Sequence, residues 1–520
     1  MPGTPPPEDG RRLPNEREPV PPIPRWLSLS LIVLASAVLA AATYLAAAHV
    51  DDRYRVDHVS GARMALAQRV TDGTLYPELY DGESYGGSRF MPLPIVVHAA
   101  LAGVTDEFLI SGKILSYASM VALLVVTFLL LKRSGCPTSL ALALSSLILT
   151  TDAGITGAMD MRADVLALAL QLASIAIAAT SVRERWWVSA APIAALAFVV
   201  KLSAIWAPIA IVVWLVVRRE RRQLIPFVVT YAGVTVVLVA LFALLSDGRI
   251  FENVIGLATT GVGGLRDAAL APYRLFHLLV QEATTGWALI PLAVVGVGVT
   301  VRERDRGGVL RAIAFAAAAV ITLLVLTDVG TGRNQLLDPL LLAAVVVGGA
   351  VAATARRGAD PERPHPLARA ATLPSVVALT TAWLLLSGLV VTLFPDVEAT
   401  VRGEATYPPQ PLAGVVDAGT SILSEDPLIP LSVGQRPVIL NPFMLPRLEH
   451  VRPGAIAALI ERIEAREFDV IVLLEGVEPI DRTWWAELDL GVPVVRAIAD
   501  SYEFAGITNG YFVYTPTRTP

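Results

Sequence analysis

The chain reads as long apolar runs separated by short polar stretches. It opens on a proline-rich, charged segment, 1–25, which cannot bury a core and is expected to be a disordered cytoplasmic tail. The first apolar run, Trp26 to Val50, is about 25 residues. It is longer than a signal-peptide core, and no clear small-residue cleavage site follows it, so an uncleaved span is expected. Further runs lie near 110–131, 137–151, 163–182, 186–200, 203–217, 223–246, 276–301, 309–327, 336–355 and 371–394. The pattern predicts an α-helical polytopic membrane protein with about 11 transmembrane helices over 26–394. The runs 137–151, 186–200 and 203–217 are shorter than the roughly 20 residues a bilayer needs. The pair around Lys201 reads as one bent hairpin or as two short helices.

Two regions break the pattern. The first outer loop, 51–109, carries Val59, Ala62, Leu66 and Val70 at spacings of three or four, one apolar stripe suited to a helix lying in the membrane interface. Gly73 and Pro77 end that helix, and the piece Met91 to Ala102 is too short to span and is expected to lie along the surface too. Residues 395–520 alternate short apolar strands (Pro437–Leu440, Asp469–Leu474, Val492–Ile498) with a helical stretch, Ala455–Glu464. That order predicts a small C-terminal α/β domain.

Composition strengthens the membrane reading. Of 520 residues 54% are apolar and 17% charged, with mean hydropathy +0.60, too apolar for a water-facing globule. This excludes a nucleic-acid binder and a cytosolic enzyme. The single cysteine, Cys136, excludes an intramolecular disulfide. The basic residues are 38 Arg and 3 Lys, the bias of a GC-rich bacterial genome. The net charge of −5 says less than where the charges fall. Alternate loops, with Arg11, Arg12, Arg17, Arg25, Lys132, Arg133, Arg183, Arg185, Arg218, Arg219, Arg221, Arg222, Arg302, Arg304, Arg306, Arg311, Arg356, Arg357, Arg363 and Arg369, hold 20 basic residues; the opposite, longer set holds 12. The positive-inside rule then puts the N-terminus in the cytoplasm of a bacterial plasma membrane and the C-terminal domain outside it.

The chemistry lies in the outer loops. Asp57 heads the interfacial helix, where a partly desolvated carboxylate could take a proton from an acceptor hydroxyl; the competing reading is a plain helix N-cap. Asp51 and Asp52 read as solvated charges ending the first span. Asp160 and Asp164 are four apart in the second outer loop, with Arg162 between them, and share a face if the turn is helical. A divalent cation could sit among Asp57, Asp160 and Asp164, although no Asp-x-Asp signature marks one. Lys201 and Arg333 stand at outer span ends and could hold a lipid phosphate or snorkel to headgroups. Glu282 is an intramembrane acid without an assigned role. His98 and His277 read as packed or interfacial.

These residues resemble the GT-C class of polytopic glycosyltransferases, similar to the family 39-type mannosyltransferases and aminoarabinose transferases. The resemblance is carried in order by Asp57 followed by Gly73-Thr74-Leu75-Tyr76-Pro77, by Arg162-Ala163-Asp164, by Lys201-Leu202-Ser203 with Pro208, by Gly332-Arg333-Asn334, and by Gly434-Gln435-Arg436-Pro437-Val438 and Phe468-Asp469-Val470-Ile471-Val472. It implies a polyprenyl-phosphate-linked sugar donor and an acceptor that is an envelope glycan, lipid or protein. Asp57 would be the catalytic base and Asp164 would shape the site. Lys201 and Arg333 would hold donor phosphate, with His58, Asp160 and Arg162 toward the acceptor or sugar. Many members show Asp-Glu where this chain has Asp57-His58, which keeps Asp51 and Asp52 as rival bases. A transporter or flippase of lipid-linked sugars and an envelope-assembly scaffold are the other readings; no inverted repeat supports the first.

Overall fold

A computed structural model describes residues 23–181, 185–260, 263–303, 305–328, 330–358, 372–404 and 407–517. Most of the expected tail, and Arg183, Arg304, Arg363 and Arg369, lie outside them. The chain forms α1 (Arg25–Ala48), α2 (His58–Thr71), α3 (Pro92–Thr105), α4 (Phe108–Arg133), α5 (Thr138–Ser146), α6 (Asp152–Met159), α7 (Asp164–Thr180), α8 (Trp187–Val200), α9 (Trp206–Val217) and α10 (Arg221–Leu245). The helices Leu265–Gln281, Ala283–Glu303, Arg306–Val325, Leu337–Gly358 and Thr372–Gly388 follow, the last continuing through a π turn to Arg402.

All the expected apolar runs are helical, but they do not all cross alone. Among the described residues, seven helices are long and apolar enough to cross a membrane, or eight if one bent pair is a single span. The remaining three runs are the short helices α7, α8 and α9, the last two separate on either side of Lys201. The bundle is built for lipid. In α1 a stripe of Leu27, Leu31, Ala35, Val38, Ala42 and Leu45 packs inward, while Leu29 and Val33 stay exposed. Apolar side chains on both faces suit a helix with neighbours on one side and acyl chains on the other. Leu337–Gly358 is the central helix, enclosed along nearly its whole apolar length.

Two runs read as unbroken are broken. The 137–151 run becomes α5 and a 3₁₀ turn, Leu147–Thr150; the chain then bends by 82° into α6, inside what reads from sequence as an outer loop. The Thr151 hydroxyl caps α6 by accepting from the Gly154 N–H at 3.0 Å. The 276–301 run breaks at Glu282, which ends one helix just before the next begins. Its Oε2 accepts the Ala153 N–H at 3.0 Å, so this acid braces the start of α6. A carboxylate in an apolar run here marks a helix end.

The C-terminal domain holds a four-stranded sheet in the order β1 (Ile422–Ser424), β2 (Val470–Leu473), β4 (Tyr511–Pro516), β3 (Tyr502–Thr508). β1 and β2 are parallel, and β4 runs antiparallel to both its neighbours. The expected helix at Ala455–Glu464 is present as Ala457–Glu464, and the expected strand at Asp469–Leu474 is β2. Val492–Ile498 is not a strand. With Pro493 in its first turn, Val492–Ser501 is a helix whose buried Val494, Val495, Ala497 and Ile498 follow helical spacing. Pro437–Leu440 forms no ladder strand either. Its backbone pairs with the first outer loop, the Tyr85 N–H donating to Val438 O at 2.7 Å and the Leu440 N–H to Tyr85 O at 2.9 Å. The β3–β4 hairpin turns on Asn509 and Gly510, both at positive φ (49° and 84°), the pattern an Asn-Gly hairpin turn requires.

The domain sits directly on the loop 51–109. Arg53 donates to Asp426 at 2.5 Å and to the Tyr511 hydroxyl at 2.6 Å. Arg89 and Arg447 both pair with Asp328, at 2.6 and 2.7 Å. Gly61 lets α2 approach: a Cβ there would stand 2.9 Å from Leu428.

Candidate active site

The site begins with how α2 starts. Asp57 is its N-cap, and one carboxylate oxygen accepts the Ser60 N–H at 3.1 Å. The capping reading is therefore true, and it leaves the second oxygen free. That oxygen meets the Arg162 guanidinium. Arg162 turns its Nε to Asp160 at 2.7 Å, so one guanidinium bridges two carboxylates. The Asp160 carboxylate also receives the Ser60 hydroxyl and, at 2.8 Å, the Met161 N–H.

The two carboxylates differ. Asp160 is fully enclosed, while the Asp57 side chain is 37% exposed. Burial, with Asp57 close by, pushes the Asp160 carboxyl up. Burial acts the same way on Asp57, but Arg162, His58 and the Ser60 N–H outweigh it and hold that carboxyl below the usual carboxylate range. Asp57 is thus a charged and accessible carboxylate at neutral pH.

A second cluster joins distant helices. Lys201, at the end of α8, pairs with Asp164 at 2.6 Å and donates to Gln335 Oε1 at 2.9 Å. Asn334 donates to Asp164 at 2.8 Å. Arg333 stands apart from Lys201: it is exposed and pairs with Asp152 at 2.9 Å. Asp152 also meets Arg55, which reaches Asp396 at 2.7 Å. His58 sits beside Asp57 at the rim, partly exposed, and makes no hydrogen bond among the described residues.

The rival bases are placed differently. Asp52 is tied to His49 at 2.5 Å and to Lys113 at 3.5 Å, inside a structural knot, and Asp51 is exposed. Among the described residues, no three His, Cys, Asp or Glu side chains converge as metal ligands. Arg162 stands between Asp57 and Asp160, where a bridging cation would sit, so the donor set as arranged does not fit a metal. Sequence reasoning missed Ser60, Asn334 and Gln335 as partners, and Arg53 and Arg55 as anchors. Ser60 carried a signal: it lies three residues after Asp57, at the capped position.

This architecture, a helical bundle with a bent helix pair and short helices packed around Asp57, is the GT-C glycosyltransferase fold. Residues 91–246 match the family described as dolichyl-phosphate-mannose-protein mannosyltransferase. The fold is shared with crystal structures of ArnT from Cupriavidus metallidurans, one bound to undecaprenyl phosphate (TM-score 0.58) and one in the apo state (TM-score 0.54). Each is 12% identical, covering 94% of this chain and 97% of that one. The apo oligosaccharyltransferase of Archaeoglobus fulgidus is also similar (TM-score 0.50, 11% identity, covering 95% of this chain and 74% of that one). No curated protein sequence matches the chain. The matched family segment includes Asp160, Arg162, Asp164 and Lys201, whereas Asp57 and Arg333 fall outside it.

Proposed function

We propose that this chain is a membrane glycosyltransferase that moves a sugar from a polyprenyl-phosphate-linked donor to an extracytoplasmic acceptor. The observation that carries the reading is the Asp57 carboxylate, exposed at the mouth of a GT-C fold and oriented by its own helix on one side and by Arg162 on the other. Asp57 takes the proton of the acceptor hydroxyl. The acceptor oxygen bonds to the anomeric carbon as the bond from that carbon to the phosphate oxygen breaks, and the polyprenyl phosphate leaves with the electron pair. Lys201 spends two of its three N–H bonds on Asp164 and Gln335, which leaves one for a phosphate oxygen. Arg333, 43% exposed, keeps most of its donor fork open. Asp160 and Arg162 position Asp57, Asp164 positions Lys201, and His58 faces the acceptor.

Incubating the purified chain in detergent with polyprenyl-phosphate-linked hexoses and pentoses should give sugar transfer to a lipid or glycan extract of the envelope. No turnover with any of them, alongside tight donor binding, would favour a carrier. The membrane orientation belongs to the same proposal. Cysteines at the exposed positions Arg219 and Asp417 should label from opposite sides, with Asp417 outside, in an otherwise Cys136-free background. Labelling of both from one side would overturn it.

A further inference from the structure

The other end of the bundle carries a basic turn. α9 begins just after Lys201 and runs 12 residues, about 18 Å, before the chain turns through Arg218, Arg219, Glu220, Arg221 and Arg222 into α10. Glu220 is turned inward: it pairs with Arg218 at 2.6 Å and with Arg306 at 3.1 Å, and both guanidiniums lie over the Trp214 ring, at 5.7 and 5.1 Å. Arg219, Arg221 and Arg222 are exposed, and among the described residues their side chains make no ion pair or hydrogen bond.

Two features set this turn apart from a solvated loop. The first is its backbone. Arg219 follows α9 at φ 57°, with its N–H on Val216 O at 2.9 Å and the Glu220 N–H on Leu215 O at 3.0 Å. Glycine takes this helix stop without steric cost; here it holds an arginine whose guanidinium has no partner among the described residues. The second is depth. Trp186, whose indole donates to Gln223 at 2.8 Å, and Trp214 stand beside the turn, and tryptophan gathers at the membrane–water boundary. Next to them Val213, Val216 and Val217 of α9 and Ile225, Val228 and Val229 of α10 face outward, and of α10 only Phe227 and Phe242 are buried. Three unpaired guanidiniums thus stand at headgroup level beside a lipid-facing apolar wall.

We propose that the 218–222 turn is a seat for the headgroup of an anionic phospholipid, with the phosphate held by Arg219, Arg221 and Arg222 and the acyl chains lying against α9 and α10. The charges complement the phosphate, and the apolar wall that continues from them gives a lipid more contact than a free anion. The seat lies at the opposite end of the bundle from Asp57. It ties the bundle to acidic membrane and takes no part in the proposed transfer.

The test is lipid binding to the full chain in detergent, read by native mass spectrometry with phosphatidylglycerol and, as the zwitterionic comparison, phosphatidylcholine. Arg219→Gly is the sharpest variant, because glycine suits the turn. Its thermal midpoint without lipid should hold or rise, while phosphatidylglycerol affinity falls about fivefold. Replacing Arg219, Arg221 and Arg222 together by Gln should weaken phosphatidylglycerol by about 100-fold and leave phosphatidylcholine unchanged. Should the triple variant fail to insert, Arg219→Gly decides alone. Arg133→Gln combined with Arg302→Gln removes two exposed charges from the same end of the bundle, and there phosphatidylglycerol affinity should change by less than about twofold. Unchanged phosphatidylglycerol affinity in Arg219→Gly overturns the proposal. So does a loss in the Arg133 and Arg302 variant equal to that of the triple variant, which would make the effect one of overall charge. Inorganic phosphate that displaces the lipid at millimolar concentration would reveal a free-anion site and overturn it too. Turnover is not read, so failure of the glycosyltransferase reading would leave this result standing.

Discussion

One pair of acids sits at the mouth of the bundle and another is buried in the C-terminal domain, and of these two only the first has a cation between its members. At the mouth, Arg162 bridges Asp57 and Asp160. In the domain, Glu425 at the end of β1 lies against Asp489 in the core. Glu425 accepts the Leu474 N–H at 2.7 Å and the Trp484 indole N–H at 2.9 Å; Asp489 accepts the Leu490 N–H at 2.9 Å. Arg53 pairs instead with Asp426, the next residue. Without a counter-charge the domain pair must keep a proton: burial, with Asp426 adding, pushes Glu425 up to about 7, and burial with Glu425 beside it raises Asp489. With Arg162 in place, the mouth pair can keep Asp57 charged. The same residue chemistry therefore gives a charged carboxylate in one region and a protonated structural clasp in the other, and the difference is one guanidinium.

The largest effect expected from this contrast is at Asp57 itself. Asp57→Asn keeps the size and the capping ability, so the chain should insert and fold while sugar transfer falls by roughly 10²–10⁴-fold. Normal turnover would remove Asp57 as the base, and loss of expression would leave it only a cap. Next is the bridge. Arg162 favours the charged form of Asp57, so Arg162→Gln should raise that carboxyl and shift the acid limb of the kcat/KM profile to higher pH. A shift of about one unit costs tenfold on that limb and little above it. A drop uniform across pH 5–8 would mean that Arg162 acts on substrate directly.

The smallest effect belongs to the clasp. Glu425 has a folded value of about 7 against 4.5 for the free group, so the folded domain binds the extra proton. Its stabilisation is complete below about pH 4.5 and is lost as pH rises through 7. Hydrogen-exchange protection of β2 should fall over that window by about 3 kcal/mol, and Glu425→Gln should flatten the fall. A wild-type and variant with parallel pH profiles would show that the pair does not titrate there.

How much of this was legible depends on distance along the chain. The apolar runs that become helices, and the start of α2 at Asp57, are local patterns and read directly. The breaks were not legible, because a run of apolar residues looks the same whether it crosses the bilayer or turns back within it. Only Glu282 and Thr151 mark the bends, and each reads as a break only beside its partner. The meeting of Asp57 with Arg162 joins residues 105 apart, and Lys201 meets Gln335 across 134; no periodicity carries such pairings. In the C-terminal domain, Val492–Ile498 misled because a short β-branched run suits a strand or a buried helix equally. The Asn509-Gly510 turn was there to be read.

The seam between the first outer loop and the C-terminal domain also sets a timetable. Arg53 leaves the ribosome 373 residues before Asp426 and 458 before Tyr511. At roughly 5–20 residues per second, it waits for about 20–90 s. Through that interval α2 and the Asp57 carboxylate go without the cover that Gly61 is shaped to receive. The Asp57 end of α2 is thus among the first parts to be made and the last to be covered.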